Sequence, residues 1–107
     1  MSNIVLVNDE NVEAIVAANE KPVILAIGAS WCPDCRRAQP FFMQLAQNYA
    51  DRAVFASCDS ESSPQVVAKY EVKHIPTMVA IRNGQEVDRI VEVKTPADLK
   101  AFVDRNI

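Results

Sequence analysis

The segment that most constrains the fold is a nearly unbroken apolar run at residues 23–29, which follows Lys21-Pro22 and precedes a polar segment. A strand with one wet face would alternate polar and apolar residues, so a continuous run indicates a strand that is covered on both faces. Covering both faces requires helices above and below the sheet. The run therefore predicts a layered α/β domain.

Strand and helix patterns alternate along the whole chain, in the order β-α-β-α-β-α-β-β-α. Strands are predicted at residues 4–7, 23–29, 53–58, 77–81 and 87–91. Asn83-Gly84 separates the last two and predicts a hairpin, since a type I′ turn needs positive φ at both positions. Helices between strands imply right-handed parallel crossovers, whereas the hairpin adds antiparallel strands. We predict a three-layer α/β/α fold around a central mixed sheet, with residues 1–107 forming one domain.

Composition excludes several classes of protein. Half of the 107 residues are hydrophobic, which suits a folded core, and the net charge of −3 argues against nucleic-acid binding. No apolar run approaches the ~20 residues that cross a bilayer. No positive charge precedes Lys21, as it would in a secretory signal. We therefore expect a cytoplasmic monomer without nucleic-acid or membrane partners.

The chemistry is expected at Trp31-Cys32-Pro33-Asp34-Cys35, which follows the buried strand and opens a long helix. The free N–H groups and the dipole at a helix N-terminus favour a thiolate on the first cysteine. The spacing lets both sulfurs bond across one helical turn. Because a thiolate attacks disulfides, Cys32 is predicted to be an exposed nucleophile and Cys35 the resolving thiol.

Neighbouring residues are expected to tune this pair. Pro33 fits the first helical turn without losing a needed hydrogen bond. Asp34 suits the helix N-terminus, but its charge disfavours a nearby thiolate. Arg36 and Arg37 would act in the opposite sense if they fold back. The sequence does not decide which effect is larger.

The Trp-Cys-x-x-Cys motif, the later Ile75-Pro76-Thr77 and the Asn-Gly hairpin together resemble the thioredoxin family, and the element order matches over essentially the whole chain. The resemblance implies a protein-disulfide reductase that acts on protein or small-molecule disulfides. It implies a reductase as electron donor and no cofactor besides the Cys32–Cys35 disulfide. It also implies that Pro76 is cis and faces the cysteines, and that the backbone of Ile75 pairs with the substrate chain.

Four residues depart from the family pattern. Ala26 replaces a buried Asp that is thought to help deprotonate the resolving cysteine, and Phe55 is expected at the position of its Lys partner. Gly28 replaces an aromatic residue, and Glu92 replaces a surface glycine. These changes put the usual proton-transfer route in doubt and alter surfaces that meet partners. We therefore expect partners different from those of a general thioredoxin.

Three other residues allow two interpretations each. Cys58 alternates with Ala56 and Val54 on one strand face, which favours a buried core thiol over a redox role. His74 would lie near the cysteines and stabilise a thiolate, or else face solvent in a loop. Trp31 would contact substrate or belong to the core.

Two alternative functions follow from the same residues. The first is a metal-binding module that uses Cys32 and Cys35 with His74 or Cys58, although no second Cys pair completes a tetrahedral zinc site. The second is a thioredoxin-fold adaptor that binds partners without turnover. The missing Asp and Lys motivate this second alternative.

Overall fold

The structure is a computed structural model that describes residues 4–18 and 20–107. Its elements are β1 (Ile4–Val7), α1 (Val12–Ala18), β2 (Val23–Gly28), α2 (Pro33–Asn48), β3 (Val54–Asp59), α3 (Pro64–Lys69), β4 (Thr77–Arg82), β5 (Gln85–Val91) and α4 (Pro96–Arg105). The strands form one sheet in the order β1-β3-β2-β4-β5. The pairs β1/β3 and β2/β3 are parallel, and the pairs β2/β4 and β4/β5 are antiparallel. This mixed sheet confirms the predicted α/β fold class.

Within the described residues, no helix has the length and apolar character needed to cross a membrane.

The central strand β2 is buried on both faces, as its apolar run predicts. Val23, Leu25 and Ile27 belong to the core on the side of α1 and α3. Ile24 and Ala26 belong to the core on the side of α2 and α4. Burying a Val, Leu or Ile side chain contributes roughly 1.5–3 kcal/mol, so β2 anchors both helical layers. Its C-terminal end, where the chain enters α2, is held in place by this packing.

The hairpin between β4 and β5 confirms the turn that Asn83-Gly84 predicts. φ is 53° at Asn83 and 78° at Gly84, so both loop positions lie in the left-handed region that a type I′ turn requires. Strand β5 begins at residue 85 rather than 87, because the exposed Gln85 and Glu86 hide its start from a hydrophobic pattern. β2 ends at residue 28, one residue earlier than expected, and β3 lies one residue later than expected.

The register between β2 and β3 corrects one prediction. A partner of residue 26 on the next strand has to lie beside it, and that residue is Ser57. Phe55 instead pairs with Ile24 and is 1% exposed in the core. Residues 55 and 57 share one face of the strand, so alternation alone does not distinguish them. A short hydroxyl side chain, and not a large ring, therefore stands next to Ala26.

Helix α4 is fixed at both ends. At its start, the Thr95 hydroxyl accepts a hydrogen bond of 3.0 Å from the backbone N–H of Asp98. At its end, Arg105 Nε and Asn106 Nδ2 donate to one carboxylate oxygen of Asp88 on β5, at 2.7 and 2.8 Å. These hydrogen bonds, first from Arg105 and then from Asn106, lower the pKa of Asp88 below its ordinary value of 3.8.

We predict that Asp88→Asn lowers the free energy of unfolding at neutral pH by about 1 kcal/mol, because the amide cannot form an ion pair with Arg105. A lowered pKa means that the stabilisation is present above pH 3.8 and is lost as the pH falls through the folded-state pKa of Asp88. Urea unfolding at neutral pH and in acid below that pKa measures the difference. The matched control is Asp51→Asn, whose carboxylate is 86% exposed. A difference that persists unchanged in acid would contradict the prediction.

Candidate active site

The junction between β2 and α2 positions the two cysteines. Cys32 is the N-cap of α2, with φ −80° and ψ 117°, and Pro33 occupies the first turn, where no backbone donor is needed. The backbone N–H of Cys35 donates a hydrogen bond of 3.2 Å to Cys32 Sγ. The first sulfur therefore lies against the free N–H groups of the helix, where negative charge is stabilised. Cys35 stands one turn further along the same helix.

The two thiols are not equally accessible, and the prediction of an exposed Cys32 is wrong. Cys32 is only 5% exposed. Its N-cap conformation turns the side chain back over the first helical turn, where Sγ accepts the hydrogen bond from the Cys35 N–H. Cys35 is more exposed than Cys32, and both are free thiols.

The pKa of Cys35 is raised from 9.0 to about 11. Burial is the main cause, because it disfavours the charged thiolate, and the hydrogen bond with Cys32 adds to the effect. Repulsion from Cys32 and Asp34 acts in the same direction. Cys35 therefore keeps its proton at neutral pH.

The charged residues that follow the motif pair with each other and not with the sulfurs. Arg37 donates to the carboxylate of Asp34, and both side chains are more than half exposed. Arg37 therefore does not fold back onto the cysteines. Asp34 still contributes to the raised pKa of Cys35 through its charge.

The segment before β4 lies on the other side of the cysteine pair. The Ile75–Pro76 peptide bond is cis, as the family resemblance implies. The carbonyl of Pro76 accepts a hydrogen bond of 2.8 Å from the backbone N–H of Glu92. Pro76 and Cys35 line one common cavity, so the fold brings together two parts of the chain that are about forty residues apart.

His74 and Glu92 form a pair beside this proline. His74 Nδ1 lies 3.5 Å from Glu92 Oε1, and the two side chains are 64% and 47% exposed. Glu92 has φ 53°, a left-handed conformation that is unusual for a residue other than glycine. The imidazole therefore faces solvent and a carboxylate, and the predicted contact with a cysteine thiolate is not among its interactions in the described part of the chain.

A cavity of about 340 Å³ lies behind Cys35. Ala26, Gly28 and Ser57 line it, and they are the positions where small residues leave room. A Cβ atom on Gly28 would lie 2.8 Å from Cys35 Sγ, which is closer than such atoms normally approach. Sequence reasoning misses this cavity because it depends on the β2–β3 register that places Ser57, and not Phe55, beside Ala26.

The structure also shows where the other residues singled out in the sequence lie. Cys58 is 5% exposed in the core on the side of α1 and α3, which confirms a core thiol, and burial raises its pKa above 9.0. Trp31 is 60% exposed and so does not belong to the core. Among residues 4–18 and 20–107, no group of three or more His, Cys, Asp or Glu side chains is arranged to hold a metal ion.

We predict that Cys35 ionises above pH 9.0 in a Cys32→Ser variant, because burial, the main cause of its raised pKa, does not depend on Cys32. Serine is a favoured N-cap, so the start of α2 is kept. The ultraviolet absorbance of the thiolate, followed against pH, measures this ionisation. A Cys32→Ser/Cys35→Ser variant supplies the blank, because it retains Cys58. An ionisation at or below 9.0 would show that Cys35 is not held in its thiol form.

Known proteins are similar in sequence to most of this chain. Residues 3–105 match the family model described as Thioredoxin. Thioredoxin H5 of Oryza sativa subsp. japonica is 38% identical over 93 residues, which cover 83% of this chain and 68% of that protein. Thioredoxin C-2 of Corynebacterium nephridii is 31% identical over 106 residues, which cover 99% of this chain and 98% of that protein.

A chloroplastic M-type thioredoxin of Pisum sativum is 29% identical over 107 residues, and the match spans 62% of its length. The matches to these three thioredoxins cover 83%, 100% and 99% of this chain. The chain belongs to the thioredoxin family of thiol–disulfide oxidoreductases.

Proposed function

We propose that the protein reduces disulfides in protein or small-molecule substrates, with Cys32 as the nucleophile and Cys35 as the resolving thiol. The observation that carries this proposal is the hydrogen bond of 3.2 Å from the Cys35 N–H to Cys32 Sγ at the N-cap of α2. It gives the two sulfurs of one motif opposite environments. Cys32 lies where a thiolate is stabilised, whereas burial keeps the proton on Cys35.

In the first step, the Cys32 thiolate attacks one sulfur of the substrate disulfide. A bond forms between Cys32 and that sulfur, and the other substrate sulfur leaves as a thiolate that takes a proton from water. The product is a mixed disulfide between Cys32 and the substrate. The raised pKa of Cys35 prevents this second thiol from competing for the substrate.

In the second step, Cys35 loses its proton and attacks Cys32 Sγ. The Cys32–Cys35 disulfide forms, and the second substrate sulfur leaves as a thiolate. The substrate has then gained two electrons, which the cysteine pair has lost. No other cofactor takes part in these steps, and we propose that a separate reductase restores the dithiol.

The substrate is proposed to bind in extended form across Trp31 and the segment before β4. Trp31 is 60% exposed, which leaves a large ring available for contact. Within the described residues, Ile75 has no hydrogen bond to its backbone N–H or carbonyl, so both groups are available to a substrate chain. Pro76, the next residue, lines one cavity with Cys35.

Selectivity among substrates is proposed to come from the His74–Glu92 pair, which places two polar side chains beside Pro76. A substrate has to fit its chain next to this pair in order to reach the cysteines. A set of partners narrower than that of a general thioredoxin is therefore expected. The cytoplasm remains our prediction for the compartment, and a monomer remains our prediction for the oligomeric state.

We predict that the purified protein accelerates the reduction of insulin disulfides by dithiothreitol, and that Cys32→Ser lowers the rate by at least about hundredfold because no thiolate remains at the helix N-terminus. Cys35→Ser is expected to accumulate a mixed disulfide through Cys32, which mass spectrometry detects. The rate of insulin precipitation gives the activity.

The control is Cys58→Ala, which removes the buried thiol outside the motif and is expected to keep the rate of the unmodified protein. An unmodified protein that is no faster than Cys32→Ser would reject a catalytic role. If Cys35→Ser also trapped no mixed disulfide, the adaptor alternative would be the better account.

A further inference from the structure

We propose that a groove between α2 and α4 binds an acidic segment of a protein substrate that also carries an apolar side chain. The groove is lined by one face of α2 (residues 34, 37, 38 and 41) and by residues 93–96 and 99. It lies on a different face of α2 from the cavity behind Cys35. The inference rests on the proposed function, because it names the class of protein whose disulfide Cys32 would reach.

The groove begins at the cysteine motif and follows helix α2. Asp34 lies between the two cysteines, and Arg37, Ala38 and Phe41 follow it three, four and seven positions later, which places all four on one helical face. Seven residues of helix span about 10 Å. An extended chain rises about 3.3 Å per residue, so roughly three substrate residues fit along the groove. Residues that flank the disulfide of a bound substrate are therefore within reach of it.

The floor of the groove is apolar, and an exposed ring lies at the end away from the motif. Val93 and Leu99 form part of the lining and are 9% and 1% exposed, so the core holds them in place. Phe41 is 44% exposed. Aromatic rings of this kind are enriched where one protein contacts another. The volume of about 400 Å³ suits one apolar side chain with the backbone on either side of it.

The charge at the rim of the groove indicates which partner fits. Arg37 donates to the carboxylate of Asp34, so these two charges neutralise each other. Lys94 is exposed, and its ammonium group forms no salt bridge within the described residues. The whole chain has a net charge of −3, so an acidic segment is attracted to this cation and repelled by the protein as a whole. The groove therefore complements an apolar residue that is flanked by Asp or Glu.

The groove is continuous with the surface proposed to hold the substrate backbone. The N–H of Glu92 donates to the carbonyl of Pro76 at 2.8 Å, and Val93, the next residue, lines the groove. The backbone of Ile75 precedes that proline. A substrate chain that pairs with Ile75 therefore passes directly to the groove, and one extended segment can occupy both.

Binding is tested without the redox reaction, by NMR of isotope-labelled protein. The probe is a peptide without cysteine that contains Asp-Phe-Asp, and a peptide with Lys-Phe-Lys in its place is the control. We expect the acidic peptide alone to change the amide chemical shifts of Lys94, Thr95 and Leu99. No change at these amides would overturn the proposal. Changes that depend on protein concentration in the absence of peptide would assign the groove to a second copy of the chain, and would also overturn it.

The charge is tested by the reduction of two peptide disulfides, flanked on both sides by Asp-Phe-Asp or by Lys-Phe-Lys. We expect reduced protein to act about fivefold faster on the acidic peptide, and we expect salt to weaken this preference. Lys94→Glu is expected to abolish the preference. Lys21→Glu makes the same change on an exposed residue at the opposite end of β2 from the motif, and it is expected to keep the preference. A preference that survives Lys94→Glu would overturn the proposal.

The apolar contact is tested on the acidic peptide disulfide. Phe41→Ala is expected to slow its reduction by about threefold. The control is Leu6→Ala, which removes a side chain that is 74% exposed on β1, away from the groove at one edge of the sheet. Both residues are exposed, so neither variant is expected to prevent folding. Equal rates in the two variants would show that Phe41 does not contact the substrate.

Failure of this inference differs from failure of the proposed function. A protein that reduces insulin but shows no change at the groove amides would keep the proposed function and lose the groove. A protein that binds the acidic peptide at Lys94 but reduces no disulfide would keep the binding surface and lose the proposed function. The NMR experiment and the insulin assay together distinguish the two cases.

Discussion

The hydrogen bond from the Cys35 N–H to Cys32 Sγ is the interaction on which the rest of the site depends. It exists because Cys32 is the N-cap of α2, a position whose side chain ordinarily satisfies a free N–H of the first turn. A sulfur in that place gains stabilisation as a thiolate, and it also becomes nearly inaccessible, at 5% exposure. Its partner in the motif keeps its proton, mainly because burial disfavours the charged thiolate. The capping interaction at Cys32 and the burial of Cys35 together produce the asymmetry that disulfide exchange needs.

The position of the N-cap Cys32 depends on strand β2, which precedes it. β2 is buried by helices on both faces, and its last residue, Gly28, lies directly below Cys35. The same packing that fixes the motif would leave no space behind it if residues 26 and 28 were large. Because they are alanine and glycine, and because Ser57 is the neighbour of Ala26 on β3, a cavity remains behind Cys35. The packing of β2 therefore holds the motif in place, and the small residues near the end of the same strand leave the cavity open.

The sequence was sufficient for the fold class and for the position of the Cys-x-x-Cys motif at the start of a helix. The apolar run of β2 and the Asn83-Gly84 turn are local signals with a direct physical cause, and both appear in the structure as predicted. The exposure of Cys32 could not be predicted, because it depends on the direction in which an N-cap side chain turns. The prediction that Phe55 stands beside Ala26 was wrong for a related reason. Residues two apart on a strand share a face, and only the register separates them.

Contacts between distant segments were the least predictable part. The pair of His74 and Glu92 joins a loop before β4 to the residue after β5, and no local pattern connects the two. The cavity likewise depends on four strands and one helix at once. In both cases the sequence identified unusual residues, Glu92 and Gly28, but not what they would lie against. Both residues depart from the family pattern, which marks their positions, but only the packing of distant segments determines what each of them contacts.

The central claim is that the fold gives Cys32 and Cys35 opposite reactivity. The most direct measurement is the alkylation of the reduced protein by a limiting amount of iodoacetamide at neutral pH, with the modified residue identified by mass spectrometry. The account predicts that Cys32 is modified first, despite its small exposed area, because it supplies the thiolate. Modification of Cys35 first, or of both at equal rates, would contradict it.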